Sequence, residues 1–166
     1  IDGKAKMSKS LGNCIYLSDT AEEVKTKIMS MFTDPTHIKI TDPGHLEGNT
    51  VFTYLDAFCR EEHFLRYLPE YQNLDELKAH YTRGGLGDIK VKKFLNAIMQ
   101  EELEPIRQKR KEYEKDIPGV FRILQEGSQV AKERAAQTLA EVRKAMKINY
   151  FDDLELMEEQ SKKYAR

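Results

Sequence analysis

The sequence has few of the features that would mark it as membrane-bound, secreted or metal-binding. No apolar run approaches the roughly 20 residues that a membrane-spanning helix needs, so this reading excludes one. The opening, Ile1-Asp2-Gly3-Lys4, has neither an apolar leader core nor a cleavage pattern. It also lacks an initiator methionine, which is read as the mark of a chain that begins mid-protein or after processing. Cysteine is scarce: Cys14 and Cys59 stand alone among 166 residues. Neither has metal-type spacing to the other or to the four histidines, so both are expected to be reduced thiols and no metal site is expected. Net charge is nearly absent as well. A formal charge of −1 asks for no nucleic-acid partner by itself, so any such contact must come from a local basic surface.

What remains is a protein with 40% hydrophobic and 33% charged residues, enough to build a core. Residues 1–18 read as a loop-like stretch around Gly3, Gly12 and Asn13, ending in an apolar patch from Cys14 to Leu17. Ser18 and Asp19, with Glu22 and Glu23 in the next turn, predict a helix start. That helix covers about residues 20–33, with Val24, Ile28, Met31 and Phe32 on one side, and stops before Asp34-Pro35. Residues 34–49 read as irregular, since the alternation around Ile38 and Ile40 is too short for a firm strand. Helical character returns at residue 50 along Val51, Phe52, Leu55, Phe58 and Cys59. It recurs around Phe64 and Leu68, and again from a cap at Asn73 through Leu77 and Tyr81 to Gly84-Gly85.

The second half is more regular. From Asp88, the residues Val91, Leu95, Ile98, Leu103, Ile106 and Tyr113 recur at helical spacing, with Pro105 predicted to kink the helix or mark a boundary. After Pro118-Gly119, a further stripe runs through Val120, Ile123, Leu124, Val130, Leu139, Val142 and Met146. Met31, Met99 and Met146 are expected to fill a core. Residues 151–166 open acidic, close basic and are expected to form a frayed tail. The fold class expected is all-α, a helical bundle with a short non-helical leader.

One motif carries chemistry. Lys6-Met7-Ser8-Lys9-Ser10 places two lysines and two serines in a loop ahead of a helix. Such groups can surround a polyphosphate, the ammonium groups offsetting charge as pyrophosphate leaves and the hydroxyls donating hydrogen bonds. A loop suits the task because it can close on the transition state and reopen. Composition alone fits a solvated surface loop as well. The histidines at 37, 45, 63 and 80 have no partner at a recognisable spacing and read as ordinary polar residues. Gly84, Gly85 and Gly87 read as a helix stop and tight turn.

In order, residues 6–10 match all five positions of the KMSKS motif of class I aminoacyl-tRNA synthetases, and the chain resembles that family. Beyond the motif it is similar to the tryptophan branch. The resemblance rests on Asp42-Pro43-Gly44, Glu47-Gly48-Asn49 and Val51-Phe52. It continues in Arg83-Gly84-Gly85-Leu86-Gly87-Asp88 with Lys90 and Lys92, and in Glu104-Pro105-Ile106-Arg107 with Arg110, Tyr113, Leu124, Gly127 and Ala131. Tyrosine enzymes of bacteria typically add a strand-containing RNA-binding module, and none is visible here. The resemblance implies that residues 1–18 end a Rossmann-type catalytic domain that is otherwise missing, that 19–150 form an anticodon-binding domain, and that 151–166 are a tail.

By the same resemblance, Lys6 and Lys9 would be catalytic, with Lys9 the principal one. Met7, Ser8 and Ser10 would complete an ATP-binding loop. The family's HIGH-type motif and its indole pocket lie upstream of anything in this sequence, so this chain alone is expected to be inactive. The implied partners are tRNA(Trp), tryptophan, ATP with Mg2+ as the substrate complex, and a second subunit in a cytoplasmic homodimer. No tightly bound cofactor is expected.

Lys90, Lys92 and Lys93 at one end of the long helix, and Arg107, Lys109, Arg110 and Lys111 towards the other, could meet an RNA backbone. Interleaved Glu101, Glu102, Glu104, Glu112, Glu114 and Asp116 fit a solvated, ion-paired face equally well. Two other readings stay open on the residues alone: a stand-alone helical RNA-binding module, and a dimerisation module without catalysis.

Overall fold

The computed structural model describes residues 6–165. Among them it contains seven helices and no strand: α1 (Ala21–Met29), α2 (Thr50–Phe58), α3 (Glu61–Tyr67), α4 (Leu74–Arg83), α5 (Asp88–Glu114), α6 (Ile117–Ala145) and α7 (Leu154–Tyr164). The all-α expectation holds. The chain divides into two compact units, residues 1–112 and 113–166, at a point two residues before the end of α5.

The first unit is organised by one apolar core. Val24 and Ile28 of α1, Val51, Phe52 and Leu55 of α2, Phe64 of α3 and Leu77 and Tyr81 of α4 all enter it. So do Val91, Phe94, Leu95, Ile98, Met99 and Leu103 of α5, whose three- and four-residue spacing lays one stripe across the other helices. Phe64 and Phe94 meet with ring centroids 4.8 Å apart.

Helix α1 begins later and ends earlier than its periodicity suggests. Its cap is Thr20, whose hydroxyl accepts from the Glu23 amide while the Glu23 carboxylate accepts from the Thr20 amide, a reciprocal capping box. Asp19 is withdrawn from that task because it has another. Buried, it accepts from the Tyr16 amide at 2.8 Å and from Lys27 Nζ at 2.5 Å. Met31 still reaches the core from beyond the helix end. Asn49 and Asn73 cap α2 and α4 by accepting from the amides of Val51 and Glu76.

Pro105 neither ends nor divides α5, which runs on to Glu114. Its missing N–H deprives one carbonyl, that of Glu101, of a donor, and the helical bonds on either side persist.

Residues 34–49 contain no regular element, and Ile38 and Ile40 are exposed rather than paired in a strand. Backbone contacts pin the segment to the α4–α5 turn. The Gly44 amide donates to the Tyr81 carbonyl at 3.0 Å, and the Gly85 amide donates to the Ile40 carbonyl at 2.6 Å. The turn requires glycine at residue 84, where φ is +89° and a Cβ would stand 2.5 Å from the Thr41 carbonyl oxygen.

The second unit departs from expectation. Helix α6 starts at Ile117, with the Asp116 carboxylate accepting from the Gly119 amide at 2.9 Å, so Pro118 falls in its first turn, where a missing N–H costs nothing. The helix forms as its spacing predicts, yet it buries none of its residues. Phe121, Leu124, Val142 and Met146 are exposed, so Met146 is no core filler, whereas Met31 and Met99 are. Helical periodicity records a face suited to burial, and among the described residues α6 buries none of it. Residues 151–166, expected to fray, instead contain α7, capped by Asp153 accepting from the Leu156 amide at 3.0 Å.

Gly44 lies against the ring of Tyr81, where a methyl group would stand 2.3 Å from a ring carbon. Gly44→Ala is expected to destabilise the first unit by about 1–3 kcal/mol, the usual cost of overpacking. Urea unfolding of the 166-residue chain, followed by circular dichroism, measures it.

Candidate functional site

Two groups of candidate residues lie in the first unit. The first is the loop of residues 6–13. Lys6, Met7, Lys9 and Ser10 are exposed and Ser8 is half-buried. The Gly12 amide donates to the Lys9 carbonyl at 3.2 Å, closing a turn, and Gly12 itself has φ +62°. Ser8 Oγ lies 3.0 Å from Ser10 Oγ and accepts from the Leu11 amide at 3.3 Å. Beneath the turn sits Asn13, only 6% exposed, with Oδ1 accepting from the Ser8 amide at 2.8 Å and Nδ2 donating to the Lys6 carbonyl at 3.5 Å. Helical elements hold the loop from the side. Tyr54 of α2 donates its hydroxyl to Met7 Sδ at 3.5 Å. Tyr16 donates to the Lys9 carbonyl at 3.5 Å, while Lys27 of α1 lies 4.4 Å from the centroid of its ring. The two lysines are thus exposed on a backbone held at several points.

The second group surrounds an open-sided groove of about 640 Å³ between residues 37–40, the glycine turn and the start of α5. Two of its lining residues, His37 and Asp88, belong to a polar network assembled from four parts of the sequence. Tyr81 donates to Asp88 Oδ1 at 2.7 Å and accepts from Asn49 Nδ2 at 3.2 Å. Thr33 donates to Asp88 Oδ2 at 3.1 Å, and His37 Nδ1 lies 3.3 Å from Asp88 Oδ1. Burial first, and then the Asp88 carboxylate, push the Tyr81 phenol far above its ordinary range. Among the described residues His37 Nε2 is buried without a hydrogen-bond partner, which costs the fold free energy. Lys39, Lys90 and Lys93 line the same groove and are exposed. Lys90 is paired with Glu70, which raises its pKa, and stands 5.8 Å from the centre of the Tyr71 ring. His80 Nδ1 and the Tyr71 hydroxyl are 2.7 Å apart on the adjoining wall.

The remaining cations expected to contact RNA are placed differently. Lys92 is partly buried and donates to the Met29 carbonyl at 3.0 Å, tying α5 to the end of α1; burial lowers its pKa. Arg107 folds back on its own helix, donating to Gln100 Oε1 at 2.9 Å and Glu104 Oε2 at 2.8 Å. Lys109 pairs with Glu112 at 2.7 Å. Arg110 and Lys111 are exposed on the same stretch. The structure therefore brings Lys90 and Lys93 together with Lys39, and leaves residues 107–111 on a separate, ion-paired turn.

Residues 1–104 match the family described as tRNA synthetases class I (W and Y). The chain belongs to that family. Among curated relatives of this synthetase chain, the tryptophan–tRNA ligase of Clostridium longisporum is 63% identical over 153 residues, which span 92% of this chain and 42% of that protein. That of Streptococcus pyogenes serotype M3 is 58% identical over 151 residues, again 42% of its length. Among solved structures, the tryptophanyl-tRNA synthetase of Campylobacter jejuni is similar with a TM-score of 0.63 and 25% identity, over 86% of this chain and 42% of that one. A second structure of the same enzyme, in complex with ADP and tryptophan, gives a TM-score of 0.63 and 26% identity. The chain thus spans under half the length of these relatives.

The groove of this synthetase chain escapes sequence reading. His37 and Asp88 are 51 residues apart and Asn49 and Tyr81 are 32 apart, separations that no local pattern encodes. Only the lysines near 90 gave a signal. Cys59 is half-buried, and burial pushes its thiol up to about 11, which disfavours the reactive thiolate.

The segment bearing His37 and Lys39 is anchored by Asp34. Burial would raise its pKa, but bonds from the Thr36 hydroxyl and amide and from the His45 ring and amide outweigh this and hold it well below the usual carboxylate range. A depressed folded-state pKa contributes stability above the unfolded value of 3.8, lost as pH falls further. Asp34→Asn is therefore expected to lower stability at pH 7, with the deficit shrinking as pH drops from about 4 towards about 2. Urea melts of both forms across that range measure the difference.

Proposed function

We propose that this chain is the carboxy-terminal part of a tryptophan–tRNA ligase, supplying one catalytic loop and the helical region that reads the tRNA anticodon. The observation that carries the reading is the loop of residues 6–10, two exposed lysines and two serine hydroxyls on a fixed backbone, in a chain 63% identical to a protein of that name. In the whole enzyme, the carboxylate of tryptophan attacks the α-phosphorus of ATP, the α–β bond breaks, and pyrophosphate departs to leave an aminoacyl-adenylate. A ribose hydroxyl of tRNA(Trp) then displaces AMP. The protein's part in the first step is electrostatic. Lys6 and Lys9 offset the charge that gathers on the leaving pyrophosphate, Ser8 and Ser10 donate to its oxygens, and Met7 packs against Tyr54 rather than reacting. ATP enters as its Mg2+ complex. The rest of the ATP site and the indole pocket belong to a Rossmann-type domain outside this sequence, so activation by these residues alone is not expected.

The groove suits a nucleotide of unpaired RNA. Lys39, Lys90 and Lys93 offer cations to phosphate, and the exposed Ile38 and Ile40 offer apolar surface to a base. Lys92 and Arg107 serve the fold instead, each held by partners within the first unit. The apolar face of α6 favours a second reading for residues 113–166, in which they pack against the rest of a homodimeric, cytoplasmic enzyme rather than against RNA.

Lys9→Ala in the full-length enzyme is expected to slow ATP–pyrophosphate exchange by roughly 100-fold or more, the scale of losing one charge-stabilising donor, with the KM for tryptophan little changed. An unchanged exchange rate removes the role. Replacing Lys39, Lys90 and Lys93 by alanine is expected to flatten the salt dependence of tRNA(Trp) binding, by about 0.7 in log–log slope for each phosphate no longer neutralised. An identical slope would make the groove lysines a solvated face.

A further inference from the structure

Residues 6–12 offer a puzzle that their chemistry alone does not resolve. A loop whose cations must meet a leaving group within a fraction of an ångström is exposed along most of its length. Something has to fix its backbone, and the fixed point must not be the substrate. Asn13 is the one buried residue among residues 6–13. Its amide carries an acceptor and a donor on one planar group, and it uses each on a different backbone group of the loop. Oδ1 takes the Ser8 N–H at 2.8 Å and Nδ2 reaches the Lys6 carbonyl at 3.5 Å. These two backbone groups bracket Met7, so the amide fixes the peptide units that carry Lys6 and lead into Lys9. The turn closed by the Gly12 amide on the Lys9 carbonyl brings Asn13 back under the loop to do so.

We propose that Asn13 is a positioning residue for amino-acid activation: through its bonds to the Ser8 amide and the Lys6 carbonyl it sets where the Lys6 and Lys9 ammonium groups stand, without touching ATP. This rests on the proposed activation role of the lysines. A neutral amide is required for both bonds. Aspartate keeps the acceptor for Ser8 but presents a carboxylate to the Lys6 carbonyl in place of a donor. Leucine keeps the volume and loses both bonds.

The test uses the full-length enzyme and tryptophan-dependent ATP–pyrophosphate exchange, expressed per active site by titrating adenylate formation, so that misfolded material is not counted. Asn13→Asp is expected to lower kcat about 10-fold and Asn13→Leu about 100-fold, the scale of a misplacement near 1 Å, with the KM for tryptophan within twofold of the parent. In a Lys9→Ala background, Asn13→Leu is expected to cost less than about threefold more, because a residue acting through Lys9 has nothing further to lose. Two results overturn the proposal: a rate per active site within twofold of the parent for Asn13→Leu, or losses from Asn13→Leu and Lys9→Ala that multiply in full. An absence of tryptophan-dependent exchange in the parent enzyme would instead overturn the activation reading itself.

Discussion

The bond from the Tyr81 hydroxyl to Asp88 is the point on which the first unit turns. Tyr81 is fully buried at the end of α4, packed against the rings of Phe52 and His37 with centroids 4.8 Å away in each case. A phenol in that position needs partners, because a buried hydroxyl left unpaired costs on the order of 1–3 kcal/mol. Its partners are Asp88, the first residue of α5, and Asn49, the cap of α2. One side chain therefore ties together the start of two helices and the end of a third. Thr33 and His37 join the same carboxylate from the irregular segment. A stretch with no ladder of its own gains a fixed course across the molecule, and a groove with lysines on its rim results.

The loop of residues 6–13 is built on the same principle with a different residue. It has no helix or sheet to satisfy its amides, so a buried asparagine does so from below, while Tyr16 and Tyr54 hold it from the helical side. In both places a polar side chain inside the fold determines the course of an exposed backbone that bears cations. That division of labour leaves the lysine side chains exposed on a held backbone.

Residues 113–166 follow another rule. Helix α6 is capped, periodic and 29 residues long, with arginine and lysine in its last turn where they favour the helix dipole. None of this needs a neighbour. Its apolar stripe does need one, and in a chain spanning 42% of its relatives' length the stripe remains exposed. Local stability and a buried core are separate achievements, and this segment shows the first without the second.

The sequence by itself determined the helices and their order. Apolar spacing, the caps at Asn49 and Asn73 and the glycine pair at 84 and 85 act over three or four residues, so a linear pattern contains them. It also carried the loop of residues 6–10, because the order of five consecutive residues identifies a motif before any geometry is known. Tertiary structure decided the rest. It gave Asp19, one of the candidate caps of α1, to Lys27 instead, and left the α6 stripe exposed among the described residues. It also sorted the cations, sending Lys92 to a carbonyl of α1 and Lys39 to the rim beside Lys90. The physical reason is that the use of a charged or polar side chain, inside the fold or at its surface, depends on neighbours from 8 to 63 residues away, and no spacing along the chain records which neighbours those are.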